Sequence, residues 1–369
     1  MTFLIVCGGS AGHINPAIAI AAELKRTLPE TKILFVGADK TMEKKLVPEA
    51  GFDLINIKMS GLRRGFSPRD IIHNVKTAKN LLIAGKKAAS ILKEYKPDAV
   101  IGTGGYICYP VLKKASRMGF KTYVLEPNAY PGLAVKLLSG FVDKVFVTYT
   151  GLENRYKRPG RIVYTGTPLR NEFYEAGSLA ESSVNKERPL VISYWGSLGA
   201  DKMNEVILDF ISLNITTQKF DHIHAAGVSG SVEEMKKRLV LPEEVEPTTV
   251  HIDIREYISD MITVMKKADL VLSRAGASTI AELTVLGKPA ILIPSPNVTE
   301  NHQEENAKQL QNAGGALMIK ESECTGETLF NTVINLLDDK EKLEVMSKAQ
   351  KSLAPPNAAK KIVDIVLSH

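Results

Sequence analysis

The chain has 369 residues, 44% hydrophobic and 24% charged, the balance of an ordinary soluble globular protein. Length gives a soft prior of roughly two domains, and composition excludes a disordered chain, a collagen-like fibre and a disulfide-framed miniprotein. Net charge is +6, yet residues 1–160 hold 25 Lys+Arg against 12 Asp+Glu, a balance of +13 that leaves −7 for the rest.

A basic first half fits a domain facing something anionic, and scattered lysines on solvated helices fit the same count. Cys7, Cys108 and Cys324 form no C-x-x-C pair, so neither a disulfide framework nor a zinc site is indicated and a reducing compartment is expected. The first 22 residues carry no Lys, Arg, Asp or Glu. No basic segment precedes Phe3, however, and the apolar run stops at Gly8, so a signal peptide or membrane span is not expected. A cytoplasmic chain is.

Short apolar runs then alternate with amphipathic stretches. Residues 3–7, 32–36, 99–101, 122–125 and 144–147 predict buried parallel strands. Residues 16–28 predict a helix with Asn15 as its cap and Pro16 in its first position, and residues 71–95 a longer one. Residues 160–168 read as a hinge, dividing the chain at 163/164. A second series follows at 190–194, 222–226, 250–252, 270–272 and 290–293. Its opening, a strand, Gly196 and then Ser-Leu-Gly-Ala, repeats the strand, Gly-Gly and Ser-Ala-Gly of the first. Ala354-Pro355-Pro356-Asn357 breaks the chain before a last amphipathic helix. The fold class expected is α/β, with ligands at the carboxyl ends of the strands.

Candidate chemistry sits at those strand ends. Gly8-Gly9-Ser10-Ala11-Gly12-His13 would let the backbone approach a ligand, and helix N–H groups there favour an anion such as diphosphate. The spacing is not G-x-G-x-x-G, and Asp39 stands too far along to be a ribose acid, which disfavours a nicotinamide dinucleotide. His13 at the tip is either an acid/base group or structural. Gly104-Gly105-Tyr106 makes a second glycine turn, for an anion or for the turn alone. Glu126, before Pro127-Asn128, is a second acid/base group or a helix cap.

In the second half, Gly196-Ser197-Leu198-Gly199-Ala200 is the counterpart turn. Ser273-Arg274-Ala275-Gly276-Ala277-Ser278-Thr279 runs into a helix carrying Glu282, suited to phosphate and ribose or to capping alone. Asn301-His302-Gln303-Glu304-Glu305-Asn306 by itself reads as a solvated loop. His222 and His224 are expected on opposite faces of a strand, a poor metal pair. No D-x-D, P-loop or G-x-S-x-G elbow occurs.

Taken in order, Gly8–His13 with Asn15-Pro16, Gly104-Gly105-Tyr106, Glu126-Pro127-Asn128, Gly166-Thr167-Pro168-Leu169-Arg170, Gly196–Ala200, Arg274–Glu282 and His302-Gln303 with Asn306 resemble the MurG family over essentially the whole chain. These are UDP-N-acetylglucosamine transferases that add the second sugar of the lipid-linked peptidoglycan precursor. Ala11, Pro127, Thr167 and Trp195 stand where the family usually has glycine, glutamine, asparagine and glycine.

The resemblance implies a GT-B fold: two Rossmann-like domains facing across a cleft, residues 1–163 for the acceptor and 164–355 for the donor, with the last helix (about 356–369) crossing back. It implies UDP-N-acetylglucosamine as donor, a lipid-linked muramoyl-peptide as acceptor, and neither a tightly bound cofactor nor a site metal. His13 would be the general base of an inverting displacement. Ser10, Ala11 and Gly12 would border the acceptor diphosphate with Gly104, Gly105 and Tyr106, and are assigned to the donor contacts as well; Glu126 goes with the acceptor. Arg170 and Ser197 would meet the donor phosphates and the Ile258 backbone the uracil. Ala277, Ser278, Thr279, Ile280 and Ala281 would cradle phosphate and ribose, with Glu282 on the ribose hydroxyls, and Gln303 and Asn128 would read the sugar.

Other GT-B activities on the same donor (a glycolipid synthase, a 2-epimerase) and a non-catalytic lipid-recruiting subunit remain as alternatives. The implied location is the cytoplasmic face of the cell membrane, held peripherally on its anionic surface, with no nucleic-acid partner and with cell-wall synthesis or division proteins admitted as partners. Residues 61–96 suit that surface: nine Lys and Arg, among them Arg63, Arg64, Lys79, Lys86 and Lys87, stand against Asp70 and Glu94. Phe66, Ile71 and Ile72 lie among them, and Leu81, Leu82 and Ile83 are consecutive on a helix, so they cannot all face one core.

Overall fold

The computed structural model describes residues 1–39, 42–59, 61, 67–178, 187–239, 250–298 and 301–368. Arg63, Arg64 and Phe66 lie outside them, as do the side chains of Ile71, Lys76 and Lys79. The chain forms two compact units, Met1–Asn171 with Pro355–His369, and Glu172–Ala354. This division falls after the 163/164 boundary expected above.

In the first unit the order is β1 (Thr2–Val6), α1 (Ala11–Thr27), β2 (Lys32–Ala38), α2 (Glu43–Glu49), β3 (Asp53–Ile57), α3 (Pro68–Tyr95), β4 (Ala99–Gly102), α4 (Cys108–Arg117), β5 (Lys121–Glu126), α5 (Leu133–Leu138), β6 (Lys144–Val147) and β7 (Ile162–Tyr164). All pairings are parallel, in the order β3-β2-β1-β4-β5-β6-β7. Alternation along the strands splits the core into two layers. Phe3, Ile5, Phe35, Ile101 and Tyr123 pack under Ile14, Ile20 and Leu24 of α1. Leu4, Val6, Val36, Val100 and Val124 pack under Ala88, Ile91 and Leu92 of α3 and Val111 and Leu112 of α4. Both faces being covered is why these strands read as unbroken apolar runs.

The first helix corrects the sequence reading. It starts at Ala11 with Ser10 as N-cap and carries Pro16 inside it, while Asn15 is exposed and caps nothing. Gly9, at φ +95°, turns the chain out of β1, and the amides of His13 and Ile14 already bond the Ser10 carbonyl at 3.0 and 3.2 Å before Pro16 is reached. Proline costs only the bond that its missing N–H would make to Gly12. The earlier start places His13 in the first helical turn.

The second unit follows with α6 (Asn171–Ser178), β8 (Leu190–Tyr194), α7 (Asp201–Thr217), β9 (Asp221–Ala225), α8 (Val232–Arg238), β10 (Ile252–Arg255), α9 (Met261–Lys267), β11 (Leu270–Ser273), α10 (Ala277–Leu286), β12 (Ala290–Leu292), α11 (His302–Asn312), β13 (Ala316–Met318), α12 (Gly326–Asp338) and α13 (Lys340–Leu353). Its parallel sheet runs β10-β9-β8-β11-β12-β13. Val191, Leu270, Leu272 and Ile291 pack with Phe210, Ile211, Phe330 and Val333 of α7 and α12. The tenth strand begins later than the predicted 250–252, and β3, β7 and β13 were not expected. The last helix, α14 (Ala358–Leu367), returns to the first unit and buries Ile362, Val363 and Val366 against the α1 layer.

Candidate functional site

Each sheet reverses its strand order once, between β1 and β4 in the first unit and between β8 and β11 in the second. A doubly wound sheet opens a crevice at that reversal, at the carboxyl ends of the two strands. The motifs at Gly8–His13 and Gly102–Tyr106 follow β1 and β4, and those at Gly196–Ala200 and Ser273–Thr279 follow β8 and β11.

In the first unit Gly104 and Gly105 adopt φ of +108° and +84°. A Cβ on Gly104 would lie 2.4 Å from His13 Nδ1, and one on Gly105 2.2 Å from the Gly8 carbonyl oxygen. The second turn therefore rests directly on the first, and only glycine permits it. His13 Nδ1 stands 3.0 Å from the Thr103 carbonyl oxygen. A carbonyl only accepts, so Nδ1 carries a proton, and in the neutral ring the lone pair is on Nε2. Ala11 needs no left-handed backbone, being the first residue of α1. The ring of Tyr106 packs against the Gly61 backbone.

Glu126 is buried and accepts from the Asn128 amide (3.1 Å), the Asn128 side chain (3.0 Å) and the Gly132 amide (2.8 Å). Gly132 is the N-cap of α5, so Glu126 ties this loop to the start of the next helix. Burial pushes its carboxyl up to about 7, against the three N–H groups, which favour the charged form. Glu43, absent from the sequence reading, is fully buried beneath the first turn. Its carboxylate accepts from Ala38 N at 2.9 Å and Gly9 N at 3.5 Å, and a Cβ on Gly8 would lie 2.6 Å from its Oε1. An acid opening a helix looks exposed in sequence, so nothing local marked it.

In the second unit Gly196 and Gly199 have φ of +91° and +80°. A further turn at Gly227-Val228-Ser229-Gly230 packs on this one, with Val228 N bonding the Ser197 carbonyl at 3.2 Å and Ser229 N that of Leu198 at 3.0 Å. Strand-end glycines marked that turn as clearly as the others, and it was missed. Helix α10 is capped by Gly276 without any side-chain bond, so Ser278, Thr279 and Glu282 form no capping pattern. The first-turn amides of Ala277, Ser278 and Thr279 face the strand-end region, where helical geometry gives them no partner in the helix. Ser278 Oγ is buried without a partner among the described residues, and Glu282 lies one turn further in.

Arg274 instead belongs to the interior: it bonds the Ile293 carbonyl at 3.0 Å and Glu321 at 2.6 Å, 5.9 Å over the Trp195 ring. Gln303 accepts from Ser295 N at 2.9 Å, leaving its amide nitrogen as the donor. Asn306 is buried and donates to the Ala275 carbonyl at 3.2 Å. Ile258 is buried after β10. Arg170, expected on the second domain, is exposed and falls within the first unit. Asn128 also belongs to the first unit, so the residues expected at the donor are divided between the two.

His222 and His224 correct another expectation. Two residues apart on β9, they share one face, and both rings meet Ser193 Oγ, at 2.8 and 2.7 Å. Among the described residues no group of three or more His, Cys, Asp or Glu could hold a metal.

Residues 3–147 match the Glycosyltransferase family 28 N-terminal domain and residues 191–362 its C-terminal domain. A UDP-N-acetylglucosamine–N-acetylmuramyl-(pentapeptide) pyrophosphoryl-undecaprenol N-acetylglucosamine transferase of Acetivibrio thermocellus is 41% identical over 99% of this chain and 97% of its own. The enzymes of that name from Desulforamulus reducens and Lactococcus lactis are 38% and 34% identical, each over 99% of this chain. A crystal structure of Acinetobacter baumannii MurG superposes with TM-score 0.75 at 23% identity, covering 100% of both chains. A Neisseria meningitidis UDP-GlcNAc 2-epimerase superposes with TM-score 0.66 at 16%, again over 100% of both. At such identities the superpositions show the fold, GT-B, which transferase and epimerase share. The full-length relatives separate them: this chain belongs to glycosyltransferase family 28, in its MurG branch.

Proposed function

We infer that this chain transfers N-acetylglucosamine from UDP-N-acetylglucosamine to the 4-hydroxyl of a muramoyl-pentapeptide carried on undecaprenyl diphosphate. The full-length relatives support the activity, and the observation that carries the mechanism is the His13 ring held by the Thr103 carbonyl with Nε2 as its basic nitrogen. Nε2 takes the proton of the acceptor hydroxyl as that oxygen bonds the anomeric carbon of the donor. The bond from that carbon to the diphosphate oxygen breaks, UDP leaves, and the configuration inverts. The turns holding Ser10–Gly12 and Gly104–Tyr106 offer backbone N–H groups to the acceptor diphosphate.

On the second unit, Ser197 and the first turn of α10 receive the donor diphosphate, where fixed N–H dipoles stabilise the charge on the leaving UDP. The Ser278 hydroxyl, buried without a partner among the described residues, adds a donor beside them. Glu282 takes the ribose hydroxyls, the Ile258 backbone the uracil, and the Gln303 amide the sugar.

The acceptor's lipid stays in the bilayer, and α3 supplies a surface for it. Ile72, Val75, Leu82 and Ile83 are 69%, 68%, 72% and 52% exposed. At 100° per residue they fall within roughly a 100° stripe, with exposed Lys86 on it and Lys87 beside it. Among the described residues no helix is long and apolar enough to cross a membrane, so the stripe would dock in the interface of the anionic leaflet.

Turnover tests the reading. UDP release should require both UDP-N-acetylglucosamine and a polyprenyl-diphospho-muramoyl-pentapeptide, and the product should gain one sugar. N-acetylmannosamine released from the donor alone would mark an epimerase instead.

A further inference from the structure

Ser193 on β8, His222 and His224 on β9 and Asn204 on α7 are at most 5% exposed. They form one continuous hydrogen-bonded chain, and elementary valence gives it a direction. Asn204 Nδ2 lies 3.0 Å from the Ala226 carbonyl oxygen, which can only accept. The other amide atom, Oδ1, faces His224 Nε2 at 3.3 Å and is itself only an acceptor, so Nε2 carries a proton. Burial holds His224 at about 3, well below an ordinary histidine, and the ring is neutral with one proton. Its Nδ1 therefore accepts from the Ser193 hydroxyl at 2.7 Å. The hydroxyl's lone pair accepts from His222 Nε2 at 2.8 Å, and His222 Nδ1 is left buried without a donor among the described residues.

The far end of this chain is the underside of the turn that carries Ser197. A Cβ on Gly199 would lie 2.2 Å from the Ala226 carbonyl oxygen, and one on Gly227 2.2 Å from Gly199 N. Glycines at φ of +91°, +80° and +79° in these turns leave the backbone many alternatives. A buried chain with one permitted direction leaves the Ala226 carbonyl one place to be.

We propose that Ser193, His224 and Asn204 are positioning residues for the Gly196–Gly199 turn, holding it in the conformation that receives a nucleoside diphosphate. The proposal rests on that turn being the donor site.

Two measurements on the full chain test it. Long-range proton–nitrogen spectra of the histidine rings should show His222 and His224 both neutral at pH 7 and protonated at Nε2; an Nδ1–H or charged His224 overturns the proposal without any variant. Titration with UDP should show Ser193→Ala and Asn204→Ala about tenfold weaker than wild type. The expected kcat at saturating donor stays within about threefold, and Ser193→Thr, which keeps the hydroxyl, should recover most of the affinity. Equal UDP affinity in wild type and both alanine variants overturns the proposal alone. A wild-type chain that binds no UDP overturns the donor reading and the proposal with it.

Discussion

The hydroxyl of Thr103 donates to the backbone carbonyl of His13 at 2.7 Å while the Thr103 carbonyl accepts from the His13 ring at 3.0 Å. The two residues thus hold each other through reciprocal bonds, one fixing the backbone at the start of α1 and the other the tautomer and tilt of the imidazole. Loss of the base should appear in kcat: His13→Ala is expected to lower turnover by roughly 10²–10⁴-fold with the donor KM little changed. Gly104→Ala pushes a methyl into the same ring and should lower kcat in the same sense. Steady-state kinetics with both substrates varied checks this, and a His13→Ala enzyme within a few-fold of wild type would remove the residue from the mechanism.

Glu282→Ala should weaken UDP binding by roughly ten- to a hundredfold, the worth of hydrogen bonds to a charged group. Calorimetric titration of the full chain with UDP and with uracil as control reads it. Unchanged UDP affinity would exclude the ribose role.

Acid should affect the two units oppositely. Glu126 has a folded pKa of about 7, above its ordinary 4.5, so the stability it contributes is full below 4.5 and lost as pH rises through 7. His224 has a folded value of about 3, below 6.5, so its contribution is full above 6.5 and lost as pH falls towards 3. His222 is shifted the same way, by burial first and then by His224. Between pH 4.5 and 6.5 Glu126 and His224 each change local stability by about 1.4 kcal/mol per pH unit. Hydrogen exchange, corrected for intrinsic rates, should show the 121–132 segment gaining protection and the 220–226 segment losing it as pH falls. Parallel changes in both would contradict the assignment.

Membrane docking through α3 should need anionic lipid. Co-sedimentation with vesicles containing an anionic phospholipid is expected to fall with salt and to drop on Leu82→Ser, Ile83→Ser or Lys86→Glu, each basic residue being worth about 1 kcal/mol near such a surface. Equal binding to neutral and anionic vesicles would defeat the electrostatic part of the proposal, and no binding to either would defeat all of it.

The glycine turns at the strand ends were legible because a left-handed backbone at Gly9, Gly104, Gly105, Gly196 and Gly199 needs a residue without a Cβ, and that leaves a letter in the sequence. Buried central strands were legible for a related reason: both faces demand apolar side chains. The three strands that went unseen are short or lie at sheet edges, where the exposed Asp53 and the half-exposed Tyr164 break the pattern. Asn15-Pro16 misplaced the start of α1 because it imitates a cap, whereas the turn at Gly9 decides where the helix can begin. Glu43 and the Ser193 chain were invisible for another reason. Their partners, such as Gly9 for Glu43 and Asn204 for His224, are distant in sequence, and only folding brings them together.

The return of α14 reverses the order in which the chain can be completed during synthesis. Ile362, Val363 and Val366 fill the layer beneath Phe3, Ile5 and Ile14, so the unit made first cannot close its interior until residues 358–367 have been made. The unit made second is continuous in sequence and needs nothing from either end. Throughout translation of some two hundred residues, the amino-terminal sheet must therefore persist with one apolar layer open, a state in which chaperone engagement competes with aggregation. Nascent chains arrested just before Ala358 should retain that exposure, and emergence of α14 is the event that ends it.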